Sequence, residues 1–172
     1  KVALFSSGVS SSSPCSSWVC PQKAKQVRSD VQRVKDAMRA GRHVICSLAP
    51  SFIADFRISG LEPMKQALMA LGFTDVEETA VGAQMVSDEY ARIMREHKQN
   101  VLISSCCPSI NLLIQKYYPT MLGSLARVLT PMQAHCKSIR ERDPQAFTVF
   151  IGPCIAKKAE AKYTRSVQYV DY

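Results

Sequence analysis

The chain has 172 residues, 47% apolar and 21% charged, with a formal net charge of +8. That length can bury a core and that balance is a globular one, which excludes a disordered chain. No run of about eighteen apolar residues occurs, so no membrane span is expected, and Lys1–Ser13 lacks the long apolar centre of a secretory leader, which points to a cytoplasmic protein.

Residues 1–22 read as an irregular, serine-rich segment with Pro14 and Pro21, and residues 23–172 as one domain. With no Met at position 1, the chain is expected to begin inside a longer one. From Lys23 to Ala40, Ala24, Val27, Val31, Val34 and Met38 recur on one side of a predicted helix that Gly41 closes. The basic residues there (Lys23, Lys25, Arg28, Arg33, Lys35, Arg39, with Arg42 beyond) are interleaved with Asp30 and Asp36. They form a solvated face or a docking face for an acidic electron carrier, and no nucleic-acid-binding module accompanies them.

His43–Leu48 reads as a buried strand that ends at Ala49-Pro50-Ser51. A helix from Met64 to Leu71 stops at Gly72, Val76–Thr79 is a second strand, and Gly82–Glu96 is a third helix. Val101–Ile103 is expected to be a strand running into Ser104-Ser105-Cys106-Cys107-Pro108, with a helix following to Tyr117. Pro131–Glu141 is helical, Phe147–Ile151 is a strand that delivers Pro153 and Cys154, and Ile155–Lys162 is helical. Strands alternating with helices predict an α/β fold, a parallel sheet with helices on both faces. Ligands of such sheets sit beyond the carboxyl ends of the strands, where the three loops above are expected to converge.

Cysteines at 15, 20, 46, 106, 107, 136 and 154 in a chain without a leader argue for metal or redox chemistry rather than structural disulfides. Cys46, inside an apolar run, and Cys136, on a helix, read as buried packing residues. Cys107 and Cys154 differ: each neighbours a proline where a helix begins, and the N–H groups there complement a thiolate, the form that binds metal. Lys157, three residues past Cys154, adds positive charge. Adjacent cysteine side chains diverge, so a division of labour is expected at Cys106-Cys107, one thiolate binding metal and the other free to carry protons.

Ser104-Ser105-Cys106-Cys107-Pro108 resembles the T-S-C-C-P-x-W signature of iron-only hydrogenases, and Pro153-Cys154-Ile155-Ala156-Lys157-Lys158-Ala159-Glu160 resembles their M-P-C-x-x-K-x-x-E signature. Ala49-Pro50-Ser51 is similar to the family's loop over its active-site cluster, and Thr130-Pro131 to its S-P segment. The resemblance runs from Arg42 to Ala161. It implies an H-cluster, a [4Fe–4S] cubane joined through a cysteine sulfur to a two-iron subsite carrying CO and cyanide, and a reaction that splits or forms H2 heterolytically. It implies Cys107 and Cys154 as cubane ligands, Cys106 as proton relay, and Lys157 as a hydrogen-bond donor to a cyanide. Ala49, Pro50, Ser51, Thr130, Pro131 and Pro153 would line the pocket, Glu89 and Glu160 are candidates for the proton path, and a redox partner such as ferredoxin is implied.

The family's third signature, E-x-M-A-C-x-x-G-C, is absent from these residues, so the chain alone is not expected to hold a complete H-cluster. Ile110 stands in place of tryptophan, Gly152 in place of methionine, and Met132 where glutamine is common. These departures motivate a second reading, an iron–sulfur sensor of H2 or redox state without useful turnover. A third reading is a remnant that binds no metal. Cys20-Pro21 resembles the end of a ferredoxin C-x2-C-x2-C-x3-C-P motif whose other positions fall on serines, which reads as a degenerate remnant.

Overall fold

The computed structural model of the chain describes residues 29–96 and 100–163. The irregular segment 1–22, with Cys15, Cys20 and the ferredoxin-like remnant, lies outside the described residues, as does the start of the helix expected from Lys23.

Helix α1 (Val31–Arg39) buries Val34 and Ala37 and ends in a Schellman motif. Arg42 N–H donates to Ala37 O (3.1 Å) and Gly41 N–H to Met38 O (3.0 Å), with Gly41 at φ +68°. The same device closes α3 (Glu62–Ala70): Phe73 N–H reaches Leu68 O (3.2 Å), Gly72 N–H reaches Met69 O (2.9 Å), and Gly72 takes φ +110°. Both glycines stand where the sequence predicts helix ends, because only a residue without a Cβ adopts that φ cheaply.

Strands β1 (Val44–Leu48), β2 (Asp75–Glu78) and β3 (Phe147–Ile151) form a parallel sheet in the order β2–β1–β3. The central strand pairs Cys46 with Val76 on one side and with Val149 on the other. Period-two alternation then sorts the faces. Val44, Cys46, Leu48, Val76, Phe147, Val149 and Ile151 share a core with α1, α3 and the short α2 (Phe52–Phe56). The opposite face sets Ser47 and Phe150 against α6 (Pro131–Arg142), and α4 (Ala80–Arg95) packs on α6. The chain is thus α/β with helices on both sheet faces, as its pattern predicts. Helix α5 (Pro108–Tyr117), a 3₁₀ segment Pro119–Ser124 and α7 (Ala156–Tyr163) complete the described elements. No helix among the described residues is long and apolar enough to cross a membrane.

One expected strand is absent from the sheet. Val101–Ile103 makes only an isolated parallel bridge, Ile103 opposite Leu125. Three apolar residues give no alternation to register, Val101 is exposed, and beyond Ile103 the loop turns its polar groups to side chains: Ser105 N–H donates to the Tyr90 hydroxyl (3.0 Å). Helix α2 and the 3₁₀ segment were not foreseen; both are too short to show a helical period.

A buried polar ladder joins the sheet to α6. Glu77 is held below the usual carboxylate range: burial works against its charge, but hydrogen bonds from Arg142 (2.8 and 2.9 Å) and His135 outweigh it. An ionised Glu77 accepts only, so His135 Nε2–H donates to it (3.1 Å). Nδ1 then accepts from Ser47 Oγ–H (2.8 Å), and Ser47 Oγ accepts from Thr79 (2.8 Å). Burial pushes the His135 pKa below its ordinary value, against the pull of Glu77, so the imidazole is neutral. The unfolded chain therefore takes up a proton near pH 6.5 that the folded chain refuses, and the stability due to His135 is complete above that pH and lost as pH falls below it. In thermal melts, His135→Gln is expected to be about 1–3 kcal/mol less stable at pH 7.5, having broken buried hydrogen bonds. The gap should narrow as pH falls through 6 to 5, and a gap constant with pH would mean that His135 takes up its proton equally well in the folded and unfolded chain.

Candidate functional site

At the carboxyl edge of the sheet the strand ends are stitched together: Ala49 N–H donates to Ile151 O (2.8 Å) and Thr79 N–H to Leu48 O (2.9 Å). Ala49 is half-buried, and Pro50 and Ser51 are exposed, with Ser51 opening α2. Gly152 sits where a Cβ would come within 2.7 Å of the Phe150 ring and 3.0 Å of Ala49 Cβ. The Phe150 ring therefore occupies space that a methionine at 152 would need.

The first cysteine loop is built from its proline. Pro108 takes the first position of α5, where the missing N–H costs nothing, and Cys107 is the N-cap with extended backbone. The Cys107 thiol is exposed and Cys106 is half-buried. The second loop leaves β3 and places the exposed Cys154 just before α7, its carbonyl accepting from Lys157 N–H (3.2 Å). Pro153 is exposed.

Lys157 joins the two loops. Its Nζ donates to Cys106 O (3.1 Å) and to Glu160 Oε2 (2.6 Å). The second Glu160 oxygen accepts a short hydrogen bond from Thr130 Oγ1. Thr130 also caps α6, accepting from Gln133 N–H (3.4 Å), and Pro131 stands at the first position of that helix. Gln133 Nε2 reaches Glu160 O (3.5 Å), while its buried Oε1 has no hydrogen-bond partner among the described residues. An ammonium carries three donors, and among the described residues Lys157 gives two of them, to Glu160 and Cys106. Glu160 is buried and both its oxygens are taken.

The sequence-predicted residues thus divide. Cys106, Lys157, Glu160 and Thr130 are joined by hydrogen bonds, and Cys107, Pro131, Pro153 and Cys154 lie on the loops or helix starts that these bonds connect. Glu89 does not join them: its carboxylate is turned to Arg92 (2.6 and 2.9 Å) on the exposed side of α4. Its neighbour Tyr90 does, with its hydroxyl 3.5 Å from Cys106 Sγ. The signal was present: Gly82 and Val86 are the buried residues of α4, and Tyr90 is the next four-residue step along that stripe, whereas Glu89 is off it. Cys46 and Cys136 are fully buried, as expected, and burial pushes the Cys46 thiol up, leaving it inert.

Two cysteine loops, one of them leaving the carboxyl end of β3, are tied by a half-buried lysine and define a frame suited to metal or redox chemistry. Residues 42–172 match the family described as iron only hydrogenase large subunit, C-terminal domain. Iron hydrogenase 1 of Clostridium pasteurianum is 31% identical over 162 residues, which is 82% of this chain and 28% of that protein. Among solved structures, an [FeFe]-hydrogenase whose oxygen inactivation is initiated by modification and degradation of the H cluster 2Fe subcluster aligns with a TM-score of 0.67 at 22% identity, over 84% of this chain and 44% of its own. A variant of apo [FeFe]-hydrogenase HydA1 from Chlamydomonas reinhardtii aligns at 0.61 and 25% identity, over 78% and 40%. The chain belongs to the iron-only hydrogenase large-subunit family, and it spans less than half the length of each of these relatives.

Proposed function

We propose that this chain supplies one side of an H-cluster site in a hydrogenase-like protein that interconverts H2 with protons and electrons. The observation that carries the reading is the Lys157 bridge, because it binds the Cys154 loop to the carbonyl of Cys106. In this reading Cys107 and Cys154 are cubane ligands, and the cluster, when bound, supplies the electron transfer and the H2 chemistry. Cys106 holds the proton that enters or leaves, and the remaining N–H of Lys157 meets an anionic ligand in a charge-assisted hydrogen bond. Glu160 keeps the ammonium in place, and Ala49, Pro50, Ser51, Thr130, Pro131 and Pro153 form the wall.

The fit is partial. A cubane normally takes four cysteines. Among the described residues no group of three or more His, Cys, Asp or Glu side chains is close enough to hold a metal, and Cys107 and Cys154 account for two of the four ligands. The exposed basic side of α1, with Lys35 and Arg39, suits an acidic electron carrier such as a ferredoxin. In a longer protein that carries this chain together with the remaining cluster ligands, Cys107→Ser and Cys154→Ser are each expected to lower iron content sharply after anaerobic reconstitution, while Cys106→Ala keeps the iron and loses turnover. Unchanged iron in both serine variants would remove the ligand assignment.

A sensory role is the second reading. It is favoured by the wall itself: Met132 is buried in an apolar cluster with Cys136 and Phe150, and the Phe150 ring closes the space at Gly152. Infrared bands of CO and cyanide without H2 evolution from a reduced dye would select it.

A further inference from the structure

The phenol of Tyr90 reaches three successive residues of the first cysteine loop. It accepts from Ser105 N–H (3.0 Å), and it lies 3.1 Å from Ser104 Oγ, 3.4 Å from Ser105 Oγ and 3.5 Å from Cys106 Sγ. Ser105 Oγ–H is committed to Val128 O (3.1 Å), and Asn111 Nδ2 holds Ser105 O (2.9 Å), so Ser105 is fixed from both sides. Cys106 N–H turns back to Ser104 Oγ (3.4 Å). The loop's polar groups are thus gathered on one rigid hydroxyl carried by a sixteen-residue helix, Ala80–Arg95. Cys107, next in sequence, starts α5 and leaves its thiol exposed.

We propose that Tyr90 is a positioning residue that sorts the two adjacent cysteines, holding Cys106 Sγ against α4 so that Cys107 alone is presented outward. The proposal deepens the cluster reading and rests on it for its meaning, since it names what decides which thiol becomes the ligand. Without the phenol the hydrogen bond from α4 to Cys106 Sγ is lost, and the two thiols become more alike in access.

The test is thiol labelling of the full chain with a neutral maleimide, read residue by residue by mass spectrometry. In the parent, Cys107 is expected to label about tenfold faster than Cys106, because access governs the rate. In Tyr90→Phe, which keeps the ring and removes the hydroxyl, the two rates should approach each other, while buried Cys46 and Cys136 stay unlabelled and so report an intact fold. An unchanged ratio with Cys46 and Cys136 protected overturns the proposal. If Tyr90→Phe instead exposes Cys46, the parent chain decides by amide hydrogen exchange: protection of Ser105 comparable to that of helical Asn111 supports the clamp, and free exchange overturns it. A second arm reads the ligand choice in the longer protein. In a Cys107→Ser background, Tyr90→Phe should regain part of the lost iron by freeing Cys106, a gain that general loosening would not produce. Should Cys107→Ser alone keep its iron, the ligand assignment fails, and the labelling ratio, which needs no iron, still judges Tyr90.

Discussion

Gly82→Ala is expected to destabilise the fold by about 2–3 kcal/mol, lowering the melting temperature by roughly 5–10 °C. Alanine normally stabilises a helix relative to glycine by about 1 kcal/mol, so propensity alone predicts the opposite sign. Sterics decide. A Cβ on Gly82 would stand 2.1 Å from Pro131 O, 2.7 Å from His135 Cβ and 2.8 Å from His135 N, where contacts under 3.0 Å essentially never occur. Two of these atoms are backbone, so no rotamer change relieves them and α4 must move off α6. That separation strains two things at once. His135 carries the ladder to Ser47 and Glu77, and Pro131 with Thr130 carries the contact to Glu160. The variant should therefore lose iron as well as stability in the longer protein. Gly123→Ala is the control, because a Cβ there meets nothing within 4 Å and its change should lie within about 0.5 kcal/mol of zero. A Gly82→Ala protein as stable as its parent would mean that the two helices stand further apart in solution.

What the sequence made legible follows from which forces are local. The helix ends at Gly41 and Gly72 need a positive φ, a one-residue requirement. The start of α6 is written by Thr130 and Pro131, cap and first position together. Phe147–Ile151 is a run of strand formers buried at nearly every position, and its predicted bounds coincide with those of β3. The cysteine loops were legible because two prolines mark where their backbones turn. What was hidden depends on partners far along the chain. Whether Val101–Ile103 joins the sheet is settled by Leu125 and by Tyr90, not by its own apolar residues. His135 sits in a helix whose sequence reads as ordinary, and only the juxtaposition of residues 47, 77 and 135 reveals a polar ladder through an apolar layer. Glu89 is a proton-path candidate through the family resemblance, while the helical stripe set by Gly82 and Val86 leads to Tyr90, whose hydroxyl meets the first cysteine loop.

Removing Glu160 is the second large effect. Lys157 and Glu160 have side chains 15% and 6% exposed, so solvent screens their pairing little. Glu160→Ala leaves the ammonium with Cys106 O as its remaining partner among the described residues and strips the Thr130 hydroxyl of its acceptor. Breaking a buried pair from one side costs about 3–5 kcal/mol, most of it the penalty of the charge left behind. The expected loss here is about 3 kcal/mol in urea unfolding, since Lys157 keeps one carbonyl. Lys157→Met should cost a similar amount by removing the ammonium from the Glu160 carboxylate, which keeps the Thr130 hydroxyl. The double variant Lys157→Met/Glu160→Leu separates stability from function. Apolar groups of similar volume often replace a buried ion pair without penalty, so most of the lost stability should return. The link from α7 to Cys106 O does not return with it, because methionine donates no hydrogen bond. A stable double variant that binds less iron than its parent would assign the pair to the site rather than to the fold. Single variants within about 1 kcal/mol of the parent would place the pair in water, and the bridge between the cysteine loops would then organise nothing.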